Sequence, residues 1–75
     1  MNNLETKNAL RERVSELGGE YFASTSSAVI WARKSNYVVH SFKIENGKAF
    51  LFWGHYDCAK IQAIDLMIKK TTDLN

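Results

Sequence analysis

Seventy-five residues amount to one small domain, close to the lower end of what folds alone, since a chain of about 60 residues buries only about 60% of its unfolded surface. Hydrophobic content of 45%, aromatics at 12% and only four glycines exclude a disordered or low-complexity chain. Ten Lys and Arg against eight Asp and Glu leave a net charge of +2, too balanced for composition to indicate a nucleic-acid partner.

The lone cysteine, Cys58, has no mate for an internal disulfide, and no apolar run has the length of a membrane span or the form of a signal peptide. A soluble cytoplasmic protein is the expectation, with no membrane partner. The initial Met and the lack of linkers, repeats or charge blocks suggest a complete small gene product. Chains this short are more often regulators, inhibitors or assembly factors than catalysts.

Residues 2–17 have the pattern of an amphipathic helix. Asn2 and Glu5 have capping-box spacing, Leu10, Val14 and Leu17 recur at i, i+4 and i+7, and Gly18-Gly19 ends the run. Its outer face mixes Lys7, Arg11, Glu12, Arg13 and Glu16, as a solvated face does. Residues 20–24 add a candidate short strand, followed by the polar loop Ser24-Thr25-Ser26-Ser27. Ala28 to Arg33 forms a second strand, returning through Lys34, Ser35 and Asn36. Its register has two solutions: a three-residue loop pairs Arg33 with Tyr37 and turns Trp31 outward, whereas a two-residue loop pairs Lys34 with Tyr37 and turns Trp31 inward.

The strongest local signal is Asn46-Gly47 between two runs rich in β-branched and aromatic residues, which predicts a two-residue hairpin turn. Glu45 then pairs with Lys48, Ile44 with Ala49, Lys43 with Phe50, Phe42 with Leu51, Ser41 with Phe52 and His40 with Trp53. One face collects Val38, His40, Phe42, Ile44, Ala49, Leu51 and Trp53 and is the predicted core; the other carries Tyr37, Val39, Ser41, Lys43, Glu45, Lys48, Phe50, Phe52 and Gly54. After Gly54 the period becomes helical, with Asp57 as N-cap, a stripe of Ile61, Ile64 and Ile68 widened by Ala63, Leu66 and Met67, and an end near Thr71.

The predicted fold is α+β: a two-layer α-β-β-β-α sandwich whose antiparallel sheet has three strands, or four if residues 20–24 pair, with both helices on one face. The opposite sheet face is then open. Tyr37, Val39, Phe50 and Phe52 supply apolar anchors there, Lys43, Glu45 and Lys48 a polar rim, and Trp31 joins under the three-residue loop.

Catalytic and metal chemistry find little support. His55, Asp57 and Cys58 lie close together, with His40 on the neighbouring strand, but the chain holds only three Cys or His residues where a structural zinc site takes four ligands. Cys58 beside His55 could suggest a nucleophile and base, yet no third orienting group or oxyanion site accompanies them. No glycine-rich phosphate loop is present, and no cofactor is expected.

The second half of the chain resembles a double-stranded RNA-binding domain: Phe42-x-Ile44, Asn46-Gly47-Lys48, Gly54 closing a strand, then Ala59-Lys60 and Ala63 in the last helix. The resemblance implies an α-β-β-β-α topology and phosphate-binding lysines at the start of the final helix. Here His55, Tyr56 and Asp57 occupy that turn and only Lys60 matches. Stacking of single-stranded bases on Tyr37, Phe50 and Phe52 is a second nucleic-acid mode. The leading expectation is a non-catalytic regulator or inhibitor of the kind carried by phages and mobile elements, binding a protein partner through the open sheet face. A second copy of the chain is a further candidate partner, and nucleic acid is the alternative.

Overall fold

The computed structural model describes residues 3–73. They run in the order α1 (Asn3–Glu16), β1 (Glu20–Ser24), β2 (Ala28–Arg33), β3 (Asn36–Glu45), β4 (Lys48–Cys58) and α2 (Lys60–Asp73). The strands form one antiparallel meander, β1-β2-β3-β4, so β1 and β4 are its edges and β2 is internal. The fold is α+β, and residues 20–24 do pair.

α1 stops one residue short of the predicted end, leaving Leu17 exposed in the closing turn, and Asn2, its expected cap, lies outside the described residues. It closes with a Schellman motif, in which the Gly19 amide donates to the Val14 carbonyl and the Gly18 amide to that of Ser15, both at 3.0 Å. The motif needs a left-handed residue, and Gly18 has φ +84°. Gly19 then lies against the indole of Trp31, where a Cβ would come within 2.2 Å of the ring. The next connection is held by Thr25, whose amide donates to the Ala28 carbonyl while its hydroxyl accepts from the Ala28 amide.

The β2–β3 turn uses two residues, Lys34 and Ser35, with Lys34 at φ +55°. Arg33 pairs with Asn36 and Trp31 with Val38, a register one residue-pair away from the two-residue solution above but of the same parity. Trp31 accordingly points inward and is 2% exposed. The Asn46-Gly47 hairpin keeps its predicted register from Glu45↔Lys48 to Ser41↔Phe52.

The helices do not share a face. Val29 and Ile30 are neighbours on one strand and so project to opposite sides of the sheet. Val29 belongs to a cluster with Ala9 and Leu10 of α1, while Ile30 packs with Val39, Cys58 and Ala63 on the α2 side. Val14, Trp31 and Val38 extend the α1 side. β2 is therefore buried from Ala28 through Trp31 without alternation, as a strand covered on both faces must be. α1 touches both outer strands, β1 and β4, so the sheet curls around it, whereas α2 packs mainly over β2 and β3. The two-layer arrangement and fully open sheet face expected from the sequence are thus replaced by a sheet between two helices. The extra strand and this placement also depart from the topology that the RNA-binding resemblance implies.

Candidate functional site

β4 is the longest strand and the least regular. Ser41 pairs with Phe52 but Val39 with His55, and Tyr37 with Cys58, so β4 contains one extra residue in each interval. These are β-bulges, and each has a non-glycine residue with positive φ: Trp53 at 53° and Asp57 at 57°. The first bulge is fixed from two sides. Gly54 sits where a Cβ would meet the Nε2 of His40 at 2.4 Å, and Lys70 of α2 donates from Nζ to the Trp53 carbonyl at 2.8 Å.

The bulge takes Trp53 out of the core position opposite His40 and leaves it 67% exposed, with its ring edge-on to Phe52 at a centroid distance of 4.9 Å. Phe50, three residues before Trp53, is 46% exposed, and Phe52 is half-buried. Phe50 and Phe52 face Lys43 and Ser41 across the strands. Lys43 forms an ion pair with Glu45 at 2.9 Å, and Glu45 stands opposite Lys48. A cleft of about 290 Å³ runs between the hairpin and α1, bordered by Phe50, Lys48, Glu12, Arg13 and Glu16.

Of the residues expected to form the site, the structure brings Lys43, Lys48, Phe50 and Phe52 together on the β3–β4 hairpin. It separates the other three. Val39 is buried beneath α2, Tyr37 is half-buried there against Phe22, and Trp31 lies under α1 on the other side of the sheet. The removal of Val39 and Tyr37 follows from α2 covering the face left open by a two-layer arrangement, and that of Trp31 from the β2–β3 register, which turns it toward α1. Trp53, assigned to the core from alternation, replaces them. Its signal in the sequence was Gly54, since a glycine inside a strand marks a bulge or a close backbone approach.

Behind the edge lies a polar cluster centred on the buried His40. The Trp31 indole N–H can only donate, so Nδ1 of His40, 3.1 Å away, accepts. The neutral imidazole then carries its proton on Nε2, which faces the Tyr56 hydroxyl at 3.4 Å. Burial lowers the pKa of His40 below its usual 6.5, with Lys70 and His55 acting in the same direction. Arg33 lies over the Tyr56 ring and closes the cluster on its outer side.

The residues weighed for metal or nucleophilic chemistry have other surroundings. Cys58 is buried, and its thiol donates to the carbonyls of His55 and Tyr56 at 3.6 and 3.8 Å. Asp57 is a bulge residue in β4, with its carboxylate 3.5 Å from the Asn36 amide nitrogen. It does not cap α2; that end is closed by Gln62, whose side-chain oxygen accepts from the Ala59 amide at 3.1 Å. Among the described residues no group of three or more His, Cys, Asp or Glu could hold a metal ion, and no helix is long and apolar enough to cross a membrane. Comparison with known protein families, curated proteins and solved structures finds no match.

Proposed function

We propose that this protein acts by binding another protein, as a regulator or inhibitor, through the aromatic edge formed by Phe50, Phe52 and Trp53. The observation that carries this reading is Trp53. Its indole is mostly solvent-exposed, so it contributes little to the core, yet its backbone occupies the left-handed region, which costs about 1–2 kcal/mol for an L-residue. Strain held in place by neighbouring contacts, here Gly54 and Lys70, is characteristic of functional positions. Exposed Trp is also the residue type most enriched among energetic anchors of protein interfaces.

The local electrostatics favour a protein partner over nucleic acid. Lys43 is neutralised by Glu45, and Lys48 faces the same carboxylate across the hairpin, so no unopposed row of cations follows the aromatics. The partner surface suited to this edge is an apolar groove that accepts the indole and a phenyl ring, with a mixed-charge border. Retention of a protein partner on the immobilised chain tests the reading. Trp53→Ala and Phe50→Ala should each weaken retention at least about 10-fold, as anchor residues do, with little dependence on salt. Binding of RNA or DNA that weakens steeply with added salt would replace this reading with the nucleic-acid one.

A further inference from the structure

The outer side of α2 carries a second apolar surface, separate from the aromatic edge. α2 rests on the sheet through Ala63, Leu66 and Met67, which leaves Ile61, Ile64 and Ile68 on its free side at 83%, 36% and 56% exposure. Their spacing of three and four residues makes one continuous stripe. On a 3.6-residue helix Lys60 lies along one border of this stripe and Asp65 along the other. Lys60 is held on the β1 side, over the ring of Phe22 at 5.2 Å. Asp65 is on the exposed side, in an ion pair with Lys69 at 3.0 Å.

We propose that a second copy of this chain covers the stripe, with the two α2 helices packed in parallel about a two-fold axis. Charge selects both the occupant and the orientation. Lys60 and Asp65 are five residues apart and on opposite borders, the relation that places a cation on one helix beside an anion on its parallel partner. The two-fold axis repeats the pair, so the surface is complementary to itself. The antiparallel arrangement that matches Ile61 to Ile68 brings like borders together and would instead set the two Asp65 carboxylates against each other. α2 is already ordered on the sheet, so pairing does not have to nucleate an isolated helix.

Sedimentation equilibrium at high micromolar concentration should give the mass of two chains. Ile61→Glu, at an exposed position, should retain the native circular dichroism spectrum and give the mass of one. Lys60→Glu and Asp65→Lys should each weaken the dimer. An equimolar mixture of these two variants should restore it, because each chain then meets a matched charge on both borders. Trp53→Ala should leave the mass unchanged, which separates this surface from the aromatic edge. A wild-type monomer would overturn the proposal and leave the stripe to a different protein. A dimer that persists in Ile61→Glu, or a mixture that stays weak, would equally overturn it.

Discussion

At the scale of single residues, His40 couples the core to pH. Its imidazole is 6% exposed and accepts a hydrogen bond that only the unprotonated Nδ1 can accept. Protonation would set two donors, Trp31 Nε1–H and His40 Nδ1–H, against each other. The folded pKa lies below 6.5, so between the two values the unfolded chain binds more protons and stability rises with pH. The contribution is fully present above about 6.5, the unfolded-state value, and declines as pH falls through the window beneath it. Urea midpoints measured at pH 7.5 and 5.5 should therefore fall at the lower pH, and the fall should shrink in His40→Gln. Gly54 supplies a second test in the same cluster. Gly54→Ala would place a methyl group 2.4 Å from His40 Nε2, and an overpacking cost of about 1–3 kcal/mol is expected in urea denaturation.

At the scale of elements, β4 shows what periodicity could and could not reveal. Asn46-Gly47 fixed the hairpin register because a two-residue turn leaves no freedom in the pairing next to it. Further along, each bulge inserts one residue and reverses the alternation, which no count of apolar positions anticipates. Trp53 is the consequence: strict pairing sends it into the core, and the bulge sends it out. Asp57 was similarly ambiguous, since an Asp ahead of an apolar helical run looks like a cap but also tolerates the positive φ of a bulge. In α2 the apolar residues surround much of the helix, so the pattern did not single out its buried side. Ala63 is fully buried against Ile30 and Val39, where a small side chain lets the helix approach β2 and β3. These elements give opposite expectations for the two tryptophans. Trp31→Ala should cost about 3–5 kcal/mol. Trp53→Gly should leave stability unchanged or raise it by about 1 kcal/mol, because glycine occupies positive φ without strain.

At the scale of the molecule, the sheet is the shared middle of two cores, and this decides which surfaces remain for binding. Strand positions, the hairpin and both helices were legible because each rests on local spacing. The side of the sheet on which each helix packs was not, since that depends on how the chain crosses the meander after α1 and β4. The unbroken buried run from Ala28 to Trp31 was its trace in the sequence: a strand apolar on both faces asks for two covering layers. Leu10→Ala on α1 and Ile30→Ala facing α2 should each lower stability by about 2–5 kcal/mol, whereas a two-layer fold would tolerate one of them. With both faces engaged, Tyr37, Val39 and Trp31 serve the cores, and the edge of β4 remains as the displayed aromatic surface.

We propose that the fold holds Trp53 in a strained, exposed position for recognition and not for stability. The most direct test is retention of a protein partner by immobilised wild type and by Trp53→Gly, with the urea midpoint of each chain measured alongside. Trp53→Gly should remain at least as stable as wild type and lose the partner. A variant that is stable and retains the partner at wild-type strength, or one that loses several kcal/mol as a core substitution would, contradicts it.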